Sequence, residues 1–396
     1  MSARPRLLVL TSTYPRWVDD PEPAFVHELS RRLTDRFEVH VLGPHAPGAK
    51  RQELLDGVHV HRYRYAPEHW ETLVNDGGML ANVRRDRRKW LLVPGFLLAQ
   101  YLSLRRLVRV LQPQVVHAHW LLPQGLVAAA AGHAVPWLGT SHGADLFALK
   151  GRLFAMLRRW VVRRAAAVTL VSEAMRQRLL SETPHARALV MPMGVDTSQR
   201  FTPGHVRSSD ELLFVGRLVE KKGLHHLLHA MPQVLASRPH VVLTVIGFGP
   251  ELERLQSLVT QHRLGSHVRF LGAVPQNALA EHYRRAAIFV APFVETSTGD
   301  QEGLGLVVAE AMACACPVIV GDVPAVRDVV GEDNGVRVAA ADHIALATSI
   351  VSLLEDPGRR HALAASGRRW VEARFSWDAV SQRYGELLTE LVGQST

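Results

Sequence analysis

The stretch Asp300-Gln-Glu302-Gly-Leu-Gly-Leu-Val-Val-Ala-Glu310-Ala-Met-Ala-Cys314 follows the apolar run Ile288 to Pro292 and opens a helical pattern. A short apolar run, a glycine turn and a helix make one strand-to-helix unit. The glycines let backbone approach a ligand closely, and the free amides at the helix start favour anionic or hydroxyl-rich groups. Eight residues of helix rise about 12 Å at most. Glu302 and Glu310 therefore reach separate parts of one elongated ligand and are not placed as an acid/base pair.

Outward from this stretch the same unit repeats. Strands are expected at Leu212 to Gly216, Val241 to Gly247, Val268 to Gly272, Ile288 to Pro292, Val318 to Gly321 and Gly335 to Val338. An earlier series covers Leu7 to Ser12, Glu38 to Leu42, Val58 to Tyr63, Val115 to His119, Leu138 to Ser141 and Ala167 to Val171. Strands alternating with helices imply parallel α/β sheets. Two such series in 396 residues exceed what one hydrophobic core usually organises. The expected division is 1–195 and 196–376, with Met193-Gly-Val-Asp196 and the polar stretch Thr202 to Asp210 as the link. From 377 to 396 the apolar positions Trp377, Val380, Tyr384, Leu387, Leu388 and Leu391 have helical spacing. That helix needs a surface: packing on the second domain is the plain expectation, with a crossing back onto the first as the alternative.

Composition narrows the partners. The net charge of +9, from 46 Lys plus Arg against 37 Asp plus Glu, suits nucleic acid, acidic lipid or a phosphorylated metabolite. No recognition motif or interleaved aromatic pattern supports nucleic acid. Cys314 and Cys316 are the only cysteines, too few for a disulfide framework, which favours a reducing cytoplasm. They lack other ligands at metal spacing and read as small buried residues. The first apolar run stops at Thr11 and Ser12, as a strand does and a signal peptide does not. Trp90 to Leu104 is interrupted by Pro94, Gly95 and Gln100 and falls short of the roughly 20 residues of a spanning helix. Basic clusters flank it: Arg84-Arg85, Arg87-Arg88-Lys89 and Arg105-Arg106. The segment from Arg84 to Arg109 fits contact with an anionic membrane surface, or equally an ordinary layer helix whose arginines face solvent.

Several positions carry chemistry. Arg217 and Lys222 lie in Gly216-Arg-Leu-Val-Glu-Lys-Lys-Gly223, just after a strand. A fork donor and a flexible ammonium there would stabilise a departing phosphate; a solvated basic loop is the alternative. Val245-Ile-Gly-Phe-Gly249-Pro250-Glu251 ends a strand with Gly247 and Gly249, which suits a nucleotide diphosphate or simply a tight turn. His142 follows Gly139-Thr-Ser at a strand's C-terminal edge, where open α/β sheets bind ligands. His119 and Asp145 are placed toward an acceptor or, equally, in the core or at its rim. His225, His226 and His229 read as a solvated helix face.

The Glu302/Glu310 segment resembles the E-x7-E signature of family 4 glycosyltransferases. The resemblance extends through Thr11-Ser-Thr-Tyr-Pro-Arg16, His117-Ala-His-Trp-Leu-Leu-Pro-Gln-Gly125, Ser141-His-Gly-Ala-Asp145, Val171-Ser-Glu-Ala-Met175 and Phe214 to Gly223. It implies the GT-B fold, two Rossmann-like domains facing across a cleft, with the nucleotide-sugar donor mainly on the second and the acceptor on the first. By that resemblance Glu302 binds donor-sugar hydroxyls and Glu310 the ribose, while Arg217 and Lys222 hold the diphosphate and Lys221 faces solvent. His142 contacts the donor sugar near its anomeric centre. The backbone of Leu271 to Val274 lies near the base, and Gly216, Gly247, Gly249, Gly303, Leu304, Gly305 and Leu306 complete the donor set. The implied reaction moves a sugar, with retention, from a nucleoside diphosphate to a polysaccharide, glycolipid or other acceptor on the cytoplasmic side of a membrane. No cofactor and no metal are expected. A nucleotide-sugar epimerase and a non-catalytic sugar-binding module are the alternatives.

Two departures qualify the likeness. Several family members carry a glycine pair in the loop after the first strand, whereas Arg16-Trp-Val-Asp-Asp-Pro-Glu-Pro-Ala-Phe25 has none. Tyr14 to Trp17 and Asp19 to Glu22 are assigned to the acceptor or a lid. Ala315 stands where the family places glycine after the glutamate helix, and a left-handed cap is costlier for Ala.

Overall fold

The computed structural model describes residues 4–17, 20, 24–75, 78–132, 134–204 and 207–394, with backbone alone at Gln276. Asp19 and Glu22 of the expected lid, and His205 and Val206 of the expected link, lie outside them.

The chain forms two compact units. The first comprises Met1–Val171, Met175–Met193 and Val380–Thr396, so the C-terminal helix Trp377–Gly393 belongs mostly to it and not, as plainly expected, to the second, because its apolar stripe names no particular surface. Its sheet contains β1 (Arg6–Leu10), β2 (Glu38–Pro44), β3 (Gln52–Leu55), β4 (Val58–Tyr63), β5 (Val115–His119), β6 (Trp137–Ser141), β7 (Ala167–Leu170) and β8 (Ala188–Val190). The order is β3-β4-β2-β1-β5-β6-β7-β8, and only the β3/β4 pair is antiparallel. Leu7 to Leu10 sit between Val39–Leu42 and Val115–Ala118, buried on both faces. Burial on both faces is why these strands read as unbroken apolar runs.

The second unit holds Gly194–Ala379 together with Ser172–Ala174. Its six strands are β9 (Glu211–Val215), β10 (Val242–Ile246), β11 (Val268–Gly272), β12 (Ile288–Ala291), β13 (Val318–Gly321) and β14 (Val336–Val338). They lie all parallel in the order β11-β10-β9-β12-β13-β14. Leu212, Phe214, Leu243, Val245, Ile288 and Ile319 anchor its core beneath the helices Leu224–Ser237 and His343–Glu355. In each sheet the order reverses beside the first strand, and ligands of open α/β sheets bind at such points, beyond the strands' C-terminal ends.

The segment thought to be broken by Pro94 and Gly95 is a continuous helix, Leu92–Leu111, with both residues in its first turn, where a missing N–H costs nothing. Among the described residues, 87–111 is the one helical stretch long and apolar enough to cross a membrane. Phe96, Gln100 and Leu104, spaced four apart, are fully buried, and the helix packs against β2 and β4 as a layer of the first unit.

Candidate active site

In the second unit, the loop after β9 leads through Arg217 to the tight turn Glu220–Lys222 and then to Gly223. Gly223 has φ +70°, and a Cβ there would lie 1.8 Å from the Pro292 oxygen. That contact brings the β9 and β12 loops together. As a result Lys222 Nζ and Glu302 Oε2 stand 2.7 Å apart, both largely buried. Burial alone would raise the Glu302 carboxyl, but the Lys222 ammonium outweighs it and holds the group below the usual carboxylate range. Lys222 also lies over the Phe293 ring, 4.8 Å from its centroid. Arg217 is exposed and makes no ion pair among the described residues. Lys221 does not simply face solvent. Its Nζ pairs with Asp300 Oδ1 at 3.1 Å and donates to the Gln301 carbonyl at 3.2 Å, because the β12 loop folds down over it.

Glu302 lies in this loop, and the helix Leu306–Ala313 begins only after Gly303, Leu304 and Gly305. Glu310 sits within that helix, half-buried, and Oε2 accepts from the hydroxyl of buried Tyr283 at 3.0 Å. Burial and the neighbouring Glu310 push the Tyr283 hydroxyl far up, so it remains a neutral donor. A charge set among apolar residues needs such a partner.

Gly247 has φ +141°, and a Cβ would lie 1.8 Å from the Gly216 oxygen. Close approach of the chain to itself thus accounts for Gly247 without a ligand. Gly247 N donates to the Gly272 carbonyl, tying the β10 turn to the end of β11 two residues before Val274. Ala315 adopts the left-handed conformation after all, at φ +52°. Cys314 and Cys316 are buried free thiols, pushed up by burial to about 12 and about 11.

In the first unit, His142 stands just past β6 with Nε2 3.0 Å from His119 Nδ1. Burial pushes His142 down to about 3, so its ring is neutral across the physiological range. His119 is buried on β5 and is also pushed well down, first by burial and then by His117 and His142. Beneath them His117 Nε2 meets Thr140 Oγ1 at 2.7 Å, Thr140 meets Thr169 at 2.6 Å, and Tyr384 of the C-terminal helix donates to the Met191 carbonyl at 3.0 Å.

The acceptor-side candidates are buried: for His119 and Asp145 the structure shows the core alternative, and for Tyr14 a buried hydroxyl. Asp145 is fully buried; Oδ1 accepts from the Ser141 hydroxyl and Oδ2 from the Leu121 amide, each at 2.7 Å. It staples the loop carrying His142 rather than reaching a ligand. Tyr14 is buried with its hydroxyl 2.7 Å from His27 Nδ1. His119 is a core histidine bonded to His142. Nor are the helix histidines simply solvated: His225, His226 and His229 are half-buried, and His229 Nδ1 lies 3.0 Å from His262 Nε2. Among the described residues no three His, Cys, Asp or Glu side chains are grouped to hold a metal ion.

Two α/β units with largely parallel sheets, the second with a cation–carboxylate pair and a helix glutamate in the loops beyond its strands, match the GT-B fold class. Residues 24–199 match the family description "Glycosyltransferase Family 4" and 195–370 match "Glycosyl transferases group 1". The chain belongs to glycosyltransferase family 4. A GDP-mannose-dependent monoacylated alpha-(1-6)-phosphatidylinositol monomannoside mannosyltransferase of Corynebacterium glutamicum is 35% identical over 212 residues, 50% of this chain and 55% of that protein. The chain thus spans about half the length of that relative. A glycogen synthase of Mycobacterium tuberculosis is 28% identical over 399 residues, covering 95% of this chain and 92% of the synthase. Among solved structures, a sucrose-phosphate synthase from Thermosynechococcus elongatus shares the fold, with a TM-score of 0.78 at 23% identity over 99% of this chain and 100% of that one.

Proposed function

We propose that the protein transfers a sugar, with retention, from a nucleoside-diphosphate sugar to a saccharide or lipid-linked acceptor. The observation that carries this reading is the Lys222–Glu302 pair at the strand ends of the second unit. As the sugar leaves, negative charge gathers on the diphosphate, and a preorganised ammonium, with the exposed Arg217 guanidinium of the same loop, stabilises that charge. Glu302, ionised and largely buried, accepts hydrogen bonds from sugar hydroxyls. Glu310, fixed by Tyr283, is suited to a ribose diol. A neutral His142 serves as a hydrogen-bond partner for a hydroxyl, not as a charged acid. The two cationic side chains take the part a divalent ion plays in other phosphate chemistry, so no metal is required.

The relatives' names order the experiments: GDP-mannose with a phosphoinositide mannoside first, then nucleotide-glucose donors with an α-glucan. Release of nucleoside diphosphate and formation of an α-linked product, read from the anomeric proton, tests the reading. Epimerised donor without transfer would overturn it.

We propose further that the acceptor lies at a cytoplasmic membrane surface. Between 84 and 109 the chain carries seven arginines and Lys89 against Asp86 alone. Trp90, Leu91, Leu98 and Leu102 are each more than half exposed along the same segment. Apolar contact with arginines around it fits the headgroup layer of an anionic bilayer.

A further inference from the structure

Trp120 has φ +72° and ψ 127°, a conformation that bulky side chains rarely adopt. The backbone is held there from both sides: its N–H donates to the Thr140 carbonyl at 2.6 Å, and its carbonyl accepts from Gly125 at 3.0 Å. Glycine would occupy this position without strain. An indole stands there instead, half-buried, directly after β5. Its ring centroid is 4.9 Å from that of His142 and 5.9 Å from that of Phe25, and Phe25 is in turn 4.9 Å from His142. Two partly exposed aromatic rings thus flank the neutral imidazole on three mutually inclined planes. Strain of this kind persists where the surroundings enforce it, and it gathers at ligand-binding positions.

We propose that Trp120, with Phe25, forms a stacking wall for a pyranose ring beside His142 and that Trp120 is a specificity-determining residue. Pyranoses present one face of C–H groups, and an aromatic face receives that face while the hydroxyls at the ring edge remain free for His142. The inference rests on the reading of this unit as saccharide-handling. It adds a subsite built by residues outside the donor-binding set.

The test is saturation-transfer NMR titration of methyl α-D-mannopyranoside and methyl α-D-glucopyranoside, with GDP-mannose and GDP in parallel, on wild type, Trp120→Leu, Trp120→Phe and Trp120→Gly. Trp120→Leu weakens binding of the preferred ring about 3- to 10-fold, Trp120→Phe keeps most of it, and GDP binding is unchanged in both. Trp120→Gly, free of the φ strain, keeps the control on folding if the leucine variant fails to fold. Weakening of the free pyranoside assigns the wall to the acceptor; weakening of GDP-mannose relative to GDP assigns it to the donor sugar. Wild-type affinity for every sugar in folded Trp120→Leu or Trp120→Gly overturns the proposal. Loss of pyranoside binding in a protein that binds no nucleotide sugar would sustain the wall and sink the transferase reading instead.

Discussion

Lys222 and Glu302 neutralise one another at 2.7 Å, and each leaves the other buried and unpaired if removed. Lys222→Ala is expected to lower kcat by about 100- to 1,000-fold, the cost of one preorganised charge partner, in steady-state assays at saturating donor. A variant within threefold of wild type would remove Lys222 from the diphosphate. His142 makes a separate prediction. Its ionisation near 3 lies outside the assay range, so the pH–rate profile has no limb near 6.5 that His142→Asn abolishes. Ala315 offers a purely structural check. At φ +52° it bears a left-handed penalty of about 1 kcal/mol that glycine lacks, so Ala315→Gly raises Tm, measured by calorimetry, by about 2–4 °C. In the candidate site, Lys222 and Glu302 were legible as charges in glycine-rich strand-to-helix turns, and Glu310 as a charge set within an apolar helix run that needs a partner. Trp120 was not: its role depends on a backbone angle and on rings from two other segments, and neither leaves a periodic trace. Its position directly after the His117-Ala-His119 strand end was the available signal.

At the scale of elements, twelve of the fourteen strands among the described residues were legible as short β-branched runs, and the two that were not are edge strands. Gln52-Glu-Leu-Leu55 carries two polar residues, and Ala188-Leu-Val190 is three residues long, so neither has the unbroken apolar run of a strand buried on both faces. The helix Leu92–Leu111 was misjudged for a related reason: Pro and Gly break a helix interior but not its first turn. Its surface yields a direct prediction. Each arginine near an anionic bilayer contributes about 1 kcal/mol, so the triple variant Arg105→Ala, Arg106→Ala, Arg109→Ala binds phosphatidylserine-containing vesicles roughly a hundredfold more weakly in flotation assays. Raising salt weakens wild-type binding in parallel. Equal, salt-insensitive partitioning of both proteins would leave this segment a solvent-facing layer helix.

For the molecule as a whole, buried His117 and His119 and half-buried His142 form a neutral cluster in the first unit, and their folded ionisations lie below the ordinary 6.5. The unfolded chain protonates these rings as pH falls through 6.5, while in the native sheet His117 and His142 stay neutral until near 3 and His119 is held well below its ordinary value. Stability is therefore full above 6.5 and lost on acidification, by at most ~1.4 kcal/mol per pH unit for each ring. Urea midpoints at pH 7.5 and 5.0 should show the fall, and His119→Phe should make it shallower. The division into two units was legible from two series of strands separated near Asp196. That the last helix joins the first unit was not, since its apolar stripe specifies a surface without saying whose. The central claim is that the second unit binds a nucleoside-diphosphate sugar through Lys222, Glu302 and Glu310. Its most direct test is thermal shift of wild type and Glu302→Gln against a panel of UDP-, GDP- and ADP-sugars: at least one should stabilise the wild type by several degrees, and Glu302→Gln should lose the part contributed by the sugar while keeping that of the nucleotide. A wild-type protein that no nucleotide sugar stabilises would contradict the account.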